Sequence, residues 1–416
     1  MSGAVAHGPS SCPPMHGTPP KRSRLGLLLT AYVAFIGLGL PDAVTGVAWP
    51  SMRDTFGRDQ SGLGLILAAV AAGYLASSAF AGALVQRLRI GNLLVLSSLV
   101  VIAGLLGWAT TPSWLFLLAC APLLGLGGGA IDAALNLYVA TRFGPRQLNW
   151  LHAFYGIGAT AGPLLMTAAL AAPGGTWRWG ILATALVLVP LAGVYAVTRR
   201  RWDADMAESG TDPAAPNPGE AEPATMVHTL RQGRVRLQIA AFFVLTGFEA
   251  TAGQWSFTVM TEARGLGTAL AGAWVGAFWA AFTMGRISAG FAVQRIGSVR
   301  LTRLGAVGAA LGATFFALNP TPVLGGLGLV LMGLSIAPLF PGLMAETPRR
   351  LGLGLAAHAV GFQVSGAILG VAVIPALAGL AADAFGLQAV TVVLLAVGVV
   401  FLALNEALIR LLDRSR

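Results

Sequence analysis

The chain has 416 residues, of which 56% are hydrophobic and only 10% are charged, against roughly 25% charged in an ordinary soluble domain. So few charges cannot cover a water-exposed surface, which excludes a soluble globular protein. The net charge of +10 does not predict a nucleic-acid partner, because the basic residues are scattered between apolar segments instead of clustered on one surface. The two cysteines, Cys12 and Cys120, stand in unrelated settings and predict neither a disulfide nor a metal site.

The chain begins with a segment, residues 1–24, that is rich in Pro, Gly and Ser and has no apolar core. We expect a disordered cytoplasmic tail there and no cleavable signal peptide. A membrane-spanning helix needs about 20 mostly apolar residues, and twelve later windows meet this requirement. They lie at about 25–50, 62–85, 91–110, 114–140, 150–172, 179–198, 237–260, 268–293, 302–318, 322–345, 354–380 and 387–409.

The sixth and seventh windows are separated by residues 199–236, which open with three consecutive arginines and continue through Pro-, Glu- and Ala-rich sequence. We interpret this segment as a cytoplasmic linker. It divides the chain into an N-terminal bundle at 25–198 and a C-terminal bundle at 237–411, followed by a cytoplasmic tail at 412–416. The predicted fold is therefore an all-α membrane protein with twelve transmembrane helices in two pseudo-symmetric six-helix bundles.

The basic residues support this helix count independently, because cytoplasmic loops carry most of the Lys and Arg. With the N-terminus inside, all but five of the 26 fall in cytoplasmic segments. The five are Arg53, Arg58, Arg178 and Arg264, which fall outside, and Arg286, which lies within the eighth window. The pattern predicts a multi-pass protein of the plasma (inner) membrane with both termini cytoplasmic.

Three sequence patterns recur in the two halves at an offset of about 208 residues, which indicates duplication of a six-helix unit. Such repeats are common in secondary transporters, whose solute site lies near the midplane between the halves. The matches are G-x-x-V-Q-R at 82–87 and 290–295, F-x-x-x-G-A-x-x-G at 154–162 and 362–370, and an acid followed by A-x-x-G at 42–46 and 249–253.

Three carboxylic acids, Asp42, Asp132 and Glu249, lie well inside the first, fourth and seventh windows. An ionised carboxylate at the centre of a membrane helix costs roughly 2.5 to 3.5 kcal/mol on insertion scales, so such residues usually have a function. A group that is neutral when desolvated and ionised when the cavity is wet suits a proton carrier. We predict these three as proton-coupling residues; hydrogen bonding between helices is the structural alternative.

Polar and aromatic residues accompany the acids inside otherwise apolar helices. Amide, carboxylate and aromatic groups together are typical of sites that hold hydroxyl-rich solutes. Asn136 follows Asp132 by four residues and therefore lies on the same helix face. The predicted solute-binding residues are Asn136, His152, Tyr155, Gln254, Trp255 and Gln363.

Enzyme signatures do not accompany these residues. The sequence contains no G-x-x-x-x-G-K-[ST] nucleotide-binding loop, no metal-ligand spacing and no nucleophile–base pair. We therefore predict neither catalysis nor a cofactor or metal.

The sequence resembles the major facilitator superfamily over nearly its whole length. Gly82, Arg87 and Gly91 are similar to its G-x-x-x-D-R-x-G-R-[KR] loop between helices two and three, with Gln86 in the place of Asp. The resemblance implies a latch that holds the cytoplasmic side closed, and it implies a monomer. A similar pattern follows helix eight. The predicted latch residues of the two loops together are Gly82, Arg87, Gly91, Arg286, Gly290 and Arg295.

More narrowly, three stretches resemble the fucose permease-like group of sugar:proton symporters. They are D-A-A-L-N-L-Y at 132–138, L-N-W-L-H-A-F-Y-G-I-G-A at 148–159, and G-x-E-x-x-x-G-x-W at 247–255. The resemblance implies that Asp132 occupies the place of the group's protonating glutamate, and Asp42 that of its helix-one aspartate.

The sequence thus predicts a secondary transporter of a small polar or sugar-like solute, with the proton as coupling ion and the lipid bilayer as surroundings. Proton-antiport efflux of drugs or amphipathic metabolites remains an alternative, because it would use the same acids. A membrane sensor that binds solute without moving it is the alternative from another class.

Overall fold

The computed structural model describes residues 22–143, 145–207 and 225–413, and this part of the chain contains twelve helices long and apolar enough to cross a membrane. We number them α1 to α12 in chain order. They are α1 Arg22–Phe56, α2 Gly62–Ala79, α3 Ala81–Thr110, α4 Trp114–Arg142, α5 Pro145–Ala171, α6 Trp177–Ala207, α7 Gly233–Thr258 with a π-helical turn Val259–Ala263, α8 Thr268–Ile296, α9 Ser298–Leu318, α10 Pro322–Ile336 with Leu339–Ala345, α11 Leu353–Phe385 and α12 Ala389–Asp413.

Each of the twelve helices overlaps one predicted window, and the main difference lies between α2 and α3. The sequence predicts a single helix over 62–85, whereas α2 ends at Ala79 and a new helical segment begins at Ala81. That segment breaks at Arg89, whose backbone has φ 62° and ψ 157°, before the membrane-crossing part of α3 continues. Continuous apolar sequence cannot reveal such a break, because hydrophobicity is the same on both sides of it.

The same break occurs at the corresponding position of the second half. Gly297, which separates α8 from α9, has φ 80° and ψ 156° and stands 208 residues after Arg89. Counted from Gly82, the spacing of the family loop signature puts its second glycine at Arg89 and not at Gly91, which corrects the match to Gly91. The repeat seen in the sequence is therefore also a repeat of backbone conformation.

The helices form two six-helix bundles, α1–α6 and α7–α12. Within the first, α1 packs on α5, and both α2 and α3 pack on α4; within the second, α7 packs on α11, and α10 packs on α8 and α9. The main contacts between the bundles are α5 with α8, α2 with α11, and α1 with α7. Many large apolar side chains on the outer surface are exposed, as expected where a helix faces lipid.

Helices extend into both ends of the predicted linker. Helix α6 continues to Ala207 and so takes in the first nine residues of the predicted linker, while a short helix Met226–Arg231 precedes α7. The predicted tails lie largely outside the described residues, as does the centre of the linker at 208–224.

Candidate functional site

A cavity of about 1360 Å³ lies between the two bundles and takes its walls from both. At one end it is lined by the start of α5, the last turns of α8 and the Leu339–Ala345 segment of α10. These elements lie at the end of the molecule that carries the first residues of α1 and the last residues of α12. The cavity therefore opens toward the end that bears the termini.

The opposite end is closed by polar contacts between the bundles. Arg53 Nη1 on α1 lies 2.8 Å from Glu262 Oε2 at the end of α7, and Gln60 Nε2 donates to the same oxygen at 3.2 Å. Asp383 on α11 accepts from the backbone N–H groups of Gln60 (2.7 Å) and Ser61 (3.0 Å). The carboxylate of one bundle thus caps the N-terminus of α2 in the other, where negative charge is favoured.

Close backbone packing between α1 and α7 lies deeper on the same side. A Cβ at Gly46 would lie 2.6 Å from Gln254 Cα, so only glycine permits this approach. Gln254, a predicted solute ligand, lines the cavity and donates from Nε2 to the Asp42 backbone oxygen at 2.8 Å. This amide therefore links the two bundles below the cavity.

Asp132 lies on the cavity wall in a chain of hydrogen bonds, which we call the Asp132 network. Tyr74 Oη donates to Asp132 Oδ2 at 2.6 Å, and Asn136 Nδ2 donates to Asp132 Oδ1 at 2.9 Å. His152 Nε2 lies 3.1 Å from Asn136 Oδ1. Because the Asn136 amide turns its donor to the carboxylate, its oxygen accepts a hydrogen bond from His152, which fixes the proton of a neutral imidazole on Nε2.

Asp42 lies nearby, with its side chain exposed to the cavity. Its Oδ2 accepts a hydrogen bond of 2.9 Å from the hydroxyl of Tyr155 on α5. Tyr155 also lines the cavity, one turn of helix after His152. The structure therefore brings four predicted residues of the first bundle, Asp132, Asn136, His152 and Tyr155, together with Asp42.

Glu249 on α7 and Arg286 on α8 line the wall that belongs to the second bundle. The two side chains interact electrostatically, and Arg286 also interacts with Tyr155 across the cavity. The guanidinium carbon of Arg286 lies 4.3 Å from the ring centroid of Phe282. The sequence places Arg286 in the latch, but the structure places it beside the central acids, because it lies ten residues before α8 ends at Ile296.

Two predicted solute ligands lie away from the cavity, and we correct their placement. Trp255 is fully buried between α7 and α11, with its Nε1 donating to the Pro375 backbone oxygen at 3.0 Å. Gln363 is also fully buried and hydrogen-bonds Gln238 and Thr347. Both hydrogen-bond to residues of the second bundle and do not line the cavity.

The remaining predicted latch residues lie at the open end. Gly82, Arg87, Gly290 and Arg295 are exposed, and neither arginine side chain forms a hydrogen bond or an ion pair with a described residue. Gly91 differs, because a Cβ there would overlap the Arg199 backbone oxygen, and its N–H donates to Asp203. Gly91 therefore joins α3 to α6 within one bundle.

Two groups of functional interest escaped prediction from sequence. Tyr74, the donor to Asp132, lies in the apolar helix α2, and no motif or regular spacing to another functional residue marks it in the sequence. Asp383 and Gln60, which close the far end, belong to a helix end and a loop, where polar residues are ordinary.

In the described part of the chain, twelve spanning helices form two bundles around a cavity with intramembrane acids, which is the architecture of a membrane transporter. The sequence profile of the Major Facilitator Superfamily matches residues 27–365, and the chain belongs to this superfamily. It is a multi-pass integral membrane protein with the superfamily fold.

Individual relatives include sugar transporters. The chain is 20% identical to the glucose/mannose transporter GlcP of Bacillus subtilis (strain 168), over 76% of this chain and 78% of that protein. Among solved structures, the nucleoside transporter NupG superposes with a TM-score of 0.74 at 14% identity, covering 92% of this chain and 99% of that one. The E. coli fucose:proton symporter FucP superposes with a TM-score of 0.61 at 17% identity, covering 93% and 99%. At these identities the structures show a shared fold.

Proposed function

We propose that the protein is a proton-coupled symporter of a polar, sugar-like solute that works by alternating access. The observation that carries the proposal is the Asp132 network, which places a membrane-embedded carboxylate on the cavity wall in contact with amide and imidazole groups suited to a solute. The glucose/mannose specificity in the name of GlcP and the fucose:proton coupling in the name of FucP agree with this solute class.

In this proposal the end that carries the termini is cytoplasmic, and the membrane is the plasma membrane. The structure then corresponds to an inward-open state, and the Arg53–Glu262 and Asp383 contacts hold the outer side closed. The exposed Arg87 and Arg295 belong to a latch that engages when the cytoplasmic side closes. A monomer suffices, because both walls of the cavity come from one chain.

Protonation of Asp132 would rearrange its network. An ionised carboxylate accepts from both Tyr74 and Asn136, whereas a protonated one has a hydrogen to donate. If Asn136 rotates to accept that hydrogen, its NH₂ group turns to His152, which must then present a lone pair on Nε2. The proton on Asp132 thereby changes the donors and acceptors that face the solute, which links proton binding to solute binding.

The experiment is proton movement in proteoliposomes that contain a pH-sensitive dye, with D-glucose, D-mannose and L-fucose as solutes. We expect solute-dependent proton entry for the wild type. Asp132→Asn, which keeps the shape but cannot titrate, should abolish accumulation driven by a pH gradient and leave counterflow exchange measurable. Asp59→Asn, in the exposed loop before α2, is the matched control. Retention of pH-driven accumulation by Asp132→Asn would refute the coupling role.

Proton-antiport efflux is the second candidate, and the largely apolar walls of the cavity, with Phe35, Val101 and Trp108, favour it. The same vesicles distinguish the two, because an amphipathic compound exchanged for protons moves them in the opposite direction. A protein that binds solute without moving it or any proton would instead be a membrane sensor.

A further inference from the structure

Glu249 differs from the other two acids of the cavity. Asp42 and Asp132 each accept at least one side-chain hydrogen bond, from Tyr155 and from Tyr74 and Asn136. No described residue donates a hydrogen bond to the carboxylate of Glu249, which lies on the cavity wall and is partly accessible. The carboxylate oxygens of Glu249 can therefore accept hydrogen bonds from a solute in the cavity.

Arg286 is the donor counterpart of Glu249 on the same wall. Its Nε is buried without a hydrogen-bond partner, and no described residue accepts from its other nitrogens. The ring of Phe282, one turn earlier on α8, lies 4.3 Å from the guanidinium carbon and restricts where the planar group can point. A donor without a partner is costly to keep away from water, so a solute that accepts from the guanidinium nitrogens at the cavity wall binds more tightly.

The two groups are close enough to interact but do not form an ion pair. No nitrogen of Arg286 lies within 4.0 Å of the Glu249 carboxylate. Tyr155 and His152 of the first bundle interact with Arg286 from across the cavity. An acceptor and a donor thus flank a gap that faces the solute space.

We propose that Glu249 and Arg286 form a subsite for two neighbouring hydroxyl groups of an uncharged polyhydroxy solute. One hydroxyl donates to the Glu249 carboxylate and the adjacent one accepts from the Arg286 guanidinium. The inference rests on the proposed transport function and assigns Glu249 a role in holding the solute, which its sequence pattern does not predict.

The charges around the gap select against ionic solutes. An anionic solute would pair with Arg286 but face three carboxylates, those of Asp42, Asp132 and Glu249. A cationic solute would pair with those carboxylates but leave the Arg286 guanidinium without a partner and repel it. A neutral diol satisfies both groups, and hexoses and the ribose of a nucleoside both carry one.

The test is calorimetric binding to purified protein in nanodiscs, with D-glucose, D-mannose, L-fucose and uridine, each beside an analogue that lacks one hydroxyl. Charged probes are D-glucuronate and D-glucosamine. The variants are Glu249→Gln and Arg286→Gln, with Arg286→Lys in case the glutamine does not fold, because lysine keeps the charge without the planar fork. Arg300→Gln, an exposed arginine of the same bundle, is the control.

We expect at least one neutral solute to bind and one of its deoxy analogues to bind about tenfold to hundredfold more weakly, as for loss of a hydrogen bond to a charged group. Each variant should bind the parent solute more weakly by a similar factor. The variant at the residue that contacts the missing hydroxyl should no longer distinguish the parent from that deoxy analogue. Arg300→Gln should match the wild type.

Affinity unchanged within twofold in Glu249→Gln and Arg286→Gln would overturn the subsite while leaving transport intact. Proton-linked uptake of D-glucuronate or D-glucosamine without binding of any neutral solute would do the same. Absence of binding and of proton flux with all six probes would overturn the proposed function together with the subsite.

Discussion

Replacing Gly46 by alanine tests whether the structure is one of two alternating states. The new Cβ would lie 2.6 Å from Gln254 Cα, 2.7 Å from its backbone oxygen and 3.0 Å from its carbonyl carbon. All three atoms belong to the backbone of α7 in the other bundle, so no rotation of a side chain relieves the overlap. Separation of α1 from α7 at the closed end relieves it directly.

The size of the effect follows from the cost of inserting one methyl group into a packed interface, which is typically about 1 to 3 kcal/mol. Because that overlap exists only where the bundles meet at this end, it raises the free energy of the observed state alone. At about 1.4 kcal/mol per factor of ten, the ratio of closed to open molecules should fall about fivefold to 150-fold.

The assay is a spin-label distance measurement between the bundles at the closed end, with labels at Asp59 and Ala269, which are both exposed there. We expect a longer distance to gain population in Gly46→Ala. Gly26→Ala is the matched control, since it lies on the same helix, its added methyl carbon would have nothing within 4 Å, and it gains the same helix propensity.

A distance distribution in Gly46→Ala identical to that of Gly26→Ala would refute the reasoning. It would mean that the α1–α7 contact yields locally, without any change in how the two bundles are placed relative to each other.

Three further predictions concern single contacts. Asp383→Asn removes the charged cap of α2 and should shift the same distance distribution toward opening by about 1 kcal/mol, whereas the control Gly26→Ala should not. Arg89→Gly relieves a backbone conformation that residues with side chains rarely adopt, so it should raise the free energy of unfolding by about 1 kcal/mol, while Gly297→Arg should lower it. Thermal unfolding midpoints of the two variants equal to that of the wild type would contradict this. The Arg142 Nε lies 3.0 Å from the Asp205 carboxylate, and Asp205→Asn removes this counter-ion. The variant should lower the free energy of unfolding by about 3 kcal/mol in a denaturant titration, and a midpoint equal to that of the wild type would contradict this.

The sequence alone determined the spanning helices, their number and the repeat. These follow from local properties: a run of about 20 apolar residues has to cross the bilayer as a helix, and the distribution of Lys and Arg tests the count. The sequence also revealed the intramembrane acids, because a charged residue in an apolar membrane segment is costly on any face of the helix. The hydrogen bond from Asn136 to Asp132 follows from their spacing of four residues on one helix.

Only the tertiary structure decided which polar residues face the solute space. A helix that is apolar on all sides has no periodic pattern to fix its rotation about its own axis, so packing against neighbours sets that rotation. Packing turns Trp255 and Gln363 into the second bundle, brings Arg286 beside Glu249, and joins Asp383 to the start of α2 across 322 residues of sequence. Contacts between bundles depend on two distant segments meeting, and neither segment encodes its partner by itself.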